Sequence, residues 1–435
     1  MNPEEVVTSV LYLLRHASAE EKIQKLKCSS ELIRCYQYLE QTSRSFAAVI
    51  QELHPELKDV ICIYYLVLRG LDTVEDDMTL EIKYKKEVLE TFYEKLYIRG
   101  WSFADSGPNE EDAPLLIEFD VVITEFLNLK KEYQDVIAKI TREMGMGMSK
   151  YTTKKVNTVE DWNEYCHYVA GLVGIGLSQL FVASGLEPSG IEKLEALSNS
   201  MGLFLQKTNI IRDVFEDVID DRRFWPIEVW SKHVNLVGDL INDKYLTQGV
   251  NCLNELCLNA IEHIPDVLDY LSQIHDRTIF SFCAIPQTMA IATITLCLNN
   301  PKVMSENVKI RKTEAIRVMK QKIAPTDAVF LKKLDILEKN VQLKTGPSMA
   351  NSKYEYVRGF ETFEAVLPMT FMVVRLDGQN FTKFSADHGF EKPNDIKALE
   401  LMNFCAQRIM SKVSDIIFSY GQSDEYRYKT FSFDL

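Results

Sequence analysis

The feature that most constrains this chain is an acidic pattern, D-x-x-E-D, which occurs at residues 72–76 and again at residues 213–217. On a helix, this spacing places the three carboxylates of a copy on one face. Like charges repel, so a buried face of this kind needs cations, and carboxylate oxygens suit Mg²⁺ bridged to a phosphate. The predicted magnesium ligands are Asp72, Glu75, Asp76, Asp213, Glu216 and Asp217.

A single copy is more simply interpreted as a solvated acidic helix face. The second copy is flanked by apolar helical residues, which favours a site with two or three Mg²⁺ ions that holds a diphosphate. Tyr65 precedes the first copy at helical spacing, and Gln206 and Asn209 precede the second, so we expect these three side chains to contact the substrate.

Two arginines lie next to the acidic copies. Arg69 and Arg212 can clamp a diphosphate, because guanidinium groups bind phosphate oxygens in pairs. The alternative is a salt bridge that only offsets the carboxylates. Tyr165 is a candidate general acid or base, but a tyrosine with an ordinary pKa of about 10 needs a cationic or metal neighbour for that role.

Helical periodicity extends through the first three quarters of the chain, and no β-rich segment occurs before residue 345. This pattern predicts an all-α domain whose helices enclose an apolar cavity. We expect the helix that resumes at Leu115 to be broken or loosened at Gly145 and Gly147, with residues 149–155 forming an exposed flap. The apolar run 279–298 is long enough to span a bilayer, but its interruption by Ser281, Pro286 and Gln287 favours a buried core helix.

Composition excludes several other classes. A net charge of −14 argues against broad binding of nucleic acid or anionic membranes. The nine cysteines form no C-x-x-C pair, which indicates a reducing compartment without a disulfide framework. No signal peptide is predicted at the first residues.

The character of the sequence changes near Met349. We predict an all-α catalytic domain over residues 1–342, a linker over 343–348, and an α+β segment over 349–435. In that segment, a strand at 371–376, a helix starting at the N-cap Asn394, and a hairpin at 416–431 suggest the opening of a palm-like fold.

Several motifs carry a family resemblance over about residues 10 to 325. Residues 65–77 (YLVLRGLDTVEDD), 165–174 (YCHYVAGLVG), 202–213 (GLFLQKTNIIRD), 222–226 (RRFWP) and 281–287 (SFCAIPQ) resemble the squalene synthase (farnesyl-diphosphate farnesyltransferase) family. The resemblance implies the all-α class I isoprenoid synthase fold. It also implies head-to-head condensation of two farnesyl diphosphates to presqualene diphosphate, followed by NADPH-dependent reduction to squalene, with Mg²⁺.

The resemblance also implies roles for individual residues. The six acidic residues would hold magnesium, and Tyr165 would assist proton transfer and leaving-group departure in the first half-reaction. The residues implied to contact diphosphate are Ser43, Arg44, Ser45, Arg69 and Arg212. Those implied to line the second pocket are Phe46, Phe282 and Cys283. A basic patch implied to bind NADPH comprises Lys309, Arg311 and Lys312, for which a solvated helix start is an equal alternative.

The family typically carries a C-terminal anchor in the endoplasmic reticulum membrane, facing the cytosol, and this chain shows none. We expect a monomer that associates with the membrane surface, or a cytosolic protein if the anchor is absent, and no nucleic-acid partner. A phytoene-synthase-like prenyltransferase, which lacks the reductive step, is a close alternative.

The C-terminal segment resembles tRNA-His guanylyltransferase at residues 353–358 (KYEYVR), 374–378 (VRLDG), 392–395 (KPND) and 420–426 (YGQSDEY). In that family Asp377 and Asp424 would hold two metals with help from the Gly378 carbonyl, although both aspartates could be ordinary turn formers. About the first third of such a protein is present, so we expect no guanylyltransferase activity. An RNA-processing protein defined by this segment is the alternative from another class, and the junction reflects either a genuine fusion or two genes joined in sequence prediction.

Overall fold

The computed structural model describes residues 29–310 except residue 109, and, in the C-terminal part, residues 371–377, 389, 403, 416–422 and 425–431. The side chains of residues 44 and 45 are outside this description. The chain divides into two compact units, Met1–Gly346 and Pro347–Leu435.

The first unit is helical wherever residues 29–310 form regular structure, which confirms the all-α prediction. The α-helices are α1 Ser30–Thr42, α2 Arg44–Gln51, α3 Pro55–Asp76, α4 Ile82–Lys95, α5 Ala113–Ile117, α6 Phe119–Asn128, α7 Lys131–Tyr151, α8 Val159–Cys166, α9 Leu172–Ala183, α10 Glu195–Arg212, α11 Val214–Ile219, α12 Ile227–Trp230, α13 Leu246–Ile261, α14 Ile264–Ser272 and α15 Arg277–Cys297. A π-helical turn, His167–Gly171, joins α8 to α9, and 3-10 helices occupy Ile191–Lys193, Val237–Ile241, Asp243–Tyr245 and Pro301–Met304.

Local sequence explains where the main helices begin. Helix α3 starts with Pro55, which is favourable in a first turn because no backbone donor is needed there. Helix α8 starts with a capping box in which Thr158 and Asp161 each accept a backbone N–H from the other. The Asp276 side chain accepts the backbone N–H groups of Thr278 and Ile279 in the first turn of α15. These caps satisfy backbone donors that would otherwise lack partners.

Two central helices organise the packing of the first unit. Helix α3 packs against α1, α4, α6 and α7, whereas α10 packs against α9, α13, α14 and α15. The last turn of α3 carries the first acidic copy, and the second copy begins at Asp213, directly after α10, and continues into α11. The fold therefore brings the ends of two long core helices into the region where the site is expected.

The glycines of α7 permit close packing and do not end the helix. The helix continues to Tyr151, so the prediction of a break at Gly145 and Gly147 is wrong. A Cβ atom at Gly145 would lie 2.2 Å from the Leu89 carbonyl oxygen, and one at Gly147 would lie 2.0 Å from the Tyr168 ring. The glycines therefore admit the backbone of α4 and an aromatic side chain. The predicted flap is correspondingly shorter, because residues 149–151 remain in the helix.

Two helical stretches in the described residues are long and apolar enough to cross a membrane by length and composition alone, Val159–Ala183 and Arg277–Cys297. Within an 18-residue window of each stretch, 50% of the first window and 72% of the second is buried inside the protein. In the second stretch the polar Gln287 is buried and donates a hydrogen bond to the Met201 carbonyl at 3.0 Å. This stretch therefore packs as a core helix, as its polar interruptions indicated.

The described residues of the second unit form a three-stranded antiparallel sheet. Its strands are β1 Phe371–Asp377, β2 Ile416–Gln422 and β3 Glu425–Phe431, in the order β1-β3-β2. The strands occupy the positions predicted from β-branched and aromatic runs. The helix predicted from Asn394 lies outside the described residues.

Helix α10 approaches its neighbour closely at Gly202, where a Cβ atom would lie 2.2 Å from the Ala170 carbonyl oxygen. We predict that Gly202→Ala destabilises the protein by about 1–3 kcal/mol, because backbone atoms must move apart. Urea unfolding measures this change. Gly238→Ala is the matched control, since a Cβ there meets nothing within 4 Å, and equal losses in the two variants would contradict the packing argument.

A lysine is buried beside α10. Lys207 is 1% exposed, and its ammonium group donates to Asn259 Oδ1 at 2.6 Å and contacts His263 Nε2 at 2.9 Å. The ammonium also lies 4.9 Å from the centre of the Trp162 ring. Burial lowers the pKa of Lys207 to about 8, from an ordinary 10.5.

This shift predicts a pH dependence of stability. Between about pH 8 and 10.5 the unfolded chain retains a proton on Lys207 that the folded chain has lost, so the unfolding free energy contributed by Lys207 rises with pH. Relative to Lys207→Met, the wild-type protein should gain up to about 3 kcal/mol across this window. Urea unfolding at pH 7 to 10.5 measures the difference. The exposed Lys139→Met serves as control and should show no such gain.

Candidate active site

The first acidic copy is held at the end of α3 by an arginine and a carboxylate from a loop. Arg69 Nη1 donates to Asp72 Oδ2 at 2.6 Å. Its Nε and Nη2 atoms lie 2.7 and 2.6 Å from Asp112 Oδ2. Arg69 is therefore fixed between two carboxylates, and Asp112 is a partner that the sequence interpretation did not include.

The second acidic copy spans a helix break. Asp213 ends α10, whereas Glu216 and Asp217 lie on α11, so the expectation of one continuous helical face is wrong for this copy. Arg212 Nε and Nη2 bind the Asp213 carboxylate at 2.7 and 2.5 Å. Asn307 Nδ2 lies 2.7 Å from Asp213 Oδ1 and 3.0 Å from Glu216 Oε2. Asn307 thereby ties the two sides of the break together.

One guanidinium joins the two copies. Arg222 Nη2 lies 3.2 Å from Asp217 Oδ1, and Arg222 Nη1 lies 3.8 Å from Asp76 Oδ1. Because one guanidinium lies near a carboxylate of each copy, the two copies, distant in sequence, lie close together.

The turn after α11 directs Arg222 toward both copies. Asp221 adopts a left-handed backbone conformation with φ of 56°, which aspartate tolerates better than most residues. The Asp221 N–H donates to the Val218 carbonyl and the Arg222 N–H to the Asp217 carbonyl, at 3.4 and 2.8 Å. These bonds form a Schellman-type helix end that reverses the chain.

The carboxylates of the site resist ionisation. Burial raises the pKa of Asp72 to about 7, and the negative charge of Asp76 adds to the shift. Burial also raises the pKa of Asp217 to about 7, against the opposing effect of Arg222. The pKa of Glu75 is raised well above its ordinary value by burial and by Asp72. Burial without enough nearby positive charge therefore makes the ionised forms of these carboxylates unfavourable.

Four of the six acidic side chains, Asp72, Asp76, Asp213 and Asp217, lie within salt-bridge distance of arginines. Within the described residues, no group of three or more acidic, histidine or cysteine side chains is gathered closely enough to hold a metal ion. Binding of a divalent cation would therefore require the carboxylates to exchange arginine partners for the metal.

Tyr165 lies between the acidic residues and two aromatic rings. It is 5% exposed, and its hydroxyl lies 3.4 Å from Glu75 Oε1. Burial and then the charge of Glu75 raise the pKa of Tyr165 well above its ordinary value. The Phe224 ring stacks on Tyr165 with centroids 5.2 Å apart and 19° between planes, and Tyr151 meets it edge-on at 5.2 Å. Tyr165 therefore keeps its proton and acts as a hydrogen-bond donor.

The polar turn between α1 and α2 lies near Tyr65. Ser43 caps α2 by accepting the Phe46 N–H at 3.3 Å, and the rings of Phe46 and Tyr65 lie 5.6 Å apart. The side chains of Arg44 and Ser45 are outside the described residues. This turn therefore places one expected pocket residue, Phe46, against the helix that carries the first acidic copy.

The other expected pocket residues lie on α15, which packs against α2. Phe282 and Cys283 are both buried, and Phe282 meets Phe181 edge-on with ring centroids 6.3 Å apart. Burial raises the pKa of the Cys283 thiol, so this cysteine is uncharged. Phe46 lies on α2 and the other two residues on α15, two helices that pack against each other.

The remaining predicted site residues are either half-buried or exposed at the protein surface, lie at a strand end, or lie outside the described residues. Gln206 is half-buried and Asn209 exposed on α10, and Lys309 is exposed two residues after Asn307. Asp377 ends β1, where it is paired with Glu425. Four further predicted residues lie outside the described part of the chain: Arg311, Lys312, Gly378 and Asp424.

An open groove of about 610 Å³ lies away from the acidic residues. It is lined by Tyr93, Tyr97, Arg142 and Tyr168, among others, and by none of the predicted metal ligands. This groove is therefore not the candidate active site.

Sequence reasoning missed several residues that shape the site. Arg222 and Phe224 lie within the RRFWP motif, which carried the resemblance but was given no role. Asp112 and Asn307 had no signal in the sequence, because isolated polar residues in loops are common and their partners lie 43 and 94 residues away.

Comparison with known proteins gives a consistent result. Residues 39–314 match the squalene/phytoene synthase family, and residues 354–434 match the tRNAHis guanylyltransferase family. A squalene synthase of Schizosaccharomyces pombe is 53% identical over 293 residues, which cover 66% of this chain and 64% of the relative. A squalene synthase of Homo sapiens is 51% identical over 298 residues, covering 68% of this chain and 71% of the relative.

Solved structures extend the comparison to the fold. A ligand complex of TcSQS is 39% identical and superposes with a TM-score of 0.70, covering 76% of this chain and 96% of that chain. This likeness confirms the expected isoprenoid synthase fold and the family resemblance of the first unit.

The contacts of Asn307 lead to a test. We predict that Asn307→Ala increases amide hydrogen exchange in residues 305–310, because two hydrogen bonds to carboxylates, typically worth about 1.5–3 kcal/mol each, are lost. Hydrogen–deuterium exchange mass spectrometry measures the effect. The exposed Asn235→Ala should leave exchange in this segment unchanged, and unaltered exchange in Asn307→Ala would show that other contacts hold the segment.

Proposed function

The chain belongs to the squalene/phytoene synthase family, and we propose that it joins two farnesyl diphosphates head-to-head into presqualene diphosphate and then reduces that product to squalene with NADPH. The observation that carries this proposal is the pair of acidic copies that lie close together at Arg222, beside the buried Tyr165. The squalene synthases that the chain resembles over about two thirds of its length support the same reaction.

The acidic residues fit magnesium. Their oxygen atoms are ligands that Mg²⁺ prefers, and the raised pKa values of Asp72, Glu75 and Asp217 indicate that further positive charge would be stabilising. Bound magnesium supplies counter-charge to a departing diphosphate. We assign magnesium binding to the six acidic residues of the two copies, which would hold the ion at the gap between α3 and α11.

The arginines would position the diphosphate groups. Arg69 and Arg212 each present a guanidinium at the end of a central helix, and Asp112 fixes the orientation of the former. The Ser43–Ser45 turn would contribute further contacts at one diphosphate, and Tyr65, Gln206 and Asn209 would contact substrate nearby. Fixed donors of this kind favour departure of the leaving group, because they need no reorganisation as charge develops.

Tyr165 would assist proton transfer and diphosphate departure in the first half-reaction. Its proton is retained, and its hydroxyl already lies near Glu75 at the edge of the acidic cluster. The half-buried Phe46 and the buried Phe282 and Cys283 would exclude water from the carbocations formed, and the aromatic rings would stabilise positive charge.

The reductant would be NADPH, bound at the basic segment that includes Lys309, Arg311 and Lys312. Asn307 precedes this segment and binds Asp213 and Glu216. These contacts place the start of the basic segment next to the second acidic copy, which supports the proposed NADPH site. We also propose that the protein works as a monomer at the cytosolic surface of the endoplasmic reticulum membrane, where its apolar product would partition.

A single assay tests the proposed reaction. The purified full chain is incubated with farnesyl diphosphate and Mg²⁺, with or without NADPH, and the products are separated by mass. We expect squalene with NADPH and presqualene diphosphate without it. A head-to-head product that NADPH does not convert to squalene would instead favour phytoene-synthase-like chemistry, and the absence of any such product would refute the proposal.

Two substitutions test the metal assignment. We predict that Asp72→Asn and Asp213→Asn each lower the rate of presqualene diphosphate formation by at least about 100-fold, because each removes a charged magnesium ligand. Initial rates across a range of Mg²⁺ concentrations measure this loss. The exposed Asp135→Asn, at a helical ion pair, should behave as wild type. Wild-type turnover in either site variant would refute the assignment.

A further inference from the structure

We infer that Phe224 is a positioning residue for the first half-reaction, because its stacked ring holds Tyr165 in the orientation that keeps the Tyr165 hydroxyl at Glu75. This inference rests on the proposed function and assigns a role to a residue outside the predicted site. Phe224 itself touches neither of the acidic copies through a polar group, so it would act through Tyr165.

The stack is close to parallel. The two ring centroids lie 5.2 Å apart and the planes differ by 19°, within the range at which offset aromatic rings attract. Tyr165 is at the end of α8, where the helix gives way to the π-helical turn His167–Gly171. Phe224 lies outside any helix, and its face covers one side of the Tyr165 ring.

A second aromatic ring also contacts Tyr165. Tyr151, the last residue of α7, meets Tyr165 at 5.2 Å with 60° between planes. The Tyr151 hydroxyl lies 2.8 Å from Glu164 Oε2, and Lys154 Nζ lies 2.7 Å from the same oxygen. Tyr151 is therefore held in place by its own polar contacts, and Phe224 supplies the second surface that limits rotation of Tyr165.

The segment that carries Phe224 is itself anchored at three points. Asp221 reverses the chain with its left-handed backbone, and Arg222 binds Asp217 and lies near Asp76. Trp225 is 3% exposed, and its Nε1 atom donates to the Ile210 carbonyl at 3.1 Å. The Phe224 ring lies between these anchors and therefore has little freedom to move. Residues 221–225 thus fix the position of the Tyr165 ring relative to the acidic copies that the Tyr165 hydroxyl must reach.

Alignment matters because the hydroxyl is only weakly held by hydrogen bonding. At 3.4 Å the contact with Glu75 is long for an O–H donor. Hydrogen bonding alone would therefore fix the tyrosine poorly, and the flanking rings determine its orientation. Misplacement of a reacting group by about 1 Å can cost about 100-fold in rate.

The test measures presqualene diphosphate formation from farnesyl diphosphate and Mg²⁺ without NADPH, in the full chain. Phe224→Leu should lower kcat by about tenfold with KM within about twofold of wild type, because orientation is lost and substrate contacts remain. Phe224→Tyr keeps the stacked ring and should restore most of kcat. Phe103→Leu, which removes a ring stacked on the exposed Tyr84 at 6.4 Å, is the matched control and should retain wild-type kcat.

A double-mutant cycle separates positioning from a general loss of structure. In a Tyr165→Phe background, Phe224→Leu should cause no further loss of kcat, because the hydroxyl it positions is already absent. A further loss equal to that in the wild-type background would overturn the inference, as would full activity of Phe224→Leu. A wild-type protein that forms no head-to-head product would refute the proposed function, and this inference with it, before any variant is compared.

Discussion

Repulsion among the carboxylates at the ends of α3 and α11 is the constraint on which the rest of the structure depends. Burial raises the pKa of Asp72 and Asp217 to about 7, so the folded chain retains a charge arrangement that is unfavourable without cations. Arg69, Arg212 and Arg222 supply part of the positive charge that these carboxylates need. A protein gains little stability from such a cluster.

The helical core holds these groups close together. Helix α3 ends with the first acidic copy and α10 ends just before the second, and glycines such as Gly145 and Gly202 let neighbouring segments approach at backbone distance. The turn at Asp221 then returns the chain so that one arginine reaches both copies. Packing in this way positions the polar site on rigid elements, which preorganises it for a reaction that must exclude water.

The spacing of residue types was sufficient to predict much of this protein. The repeated D-x-x-E-D pattern identified the six acidic residues, and helical periodicity predicted the all-α architecture. Family motifs indicated the squalene synthase resemblance and the separate C-terminal segment, and β-branched runs located its strands. Periodicity failed at Gly145 and Gly147, because a glycine within a helix has the same local signature whether it ends the helix or admits a close neighbour.

Residue types and their helical spacing are local properties, so the sequence was enough to predict the carboxylates, arginines and aromatic residues of the candidate site. Which of these groups meet depends on the tertiary fold. Asp112 orients Arg69, Asn307 bridges the break in the second copy, and Phe224 covers Tyr165. Each of these contacts joins residues far apart in the chain. They depend on how core helices pack and where a loop returns, and no local pattern encodes such a distance.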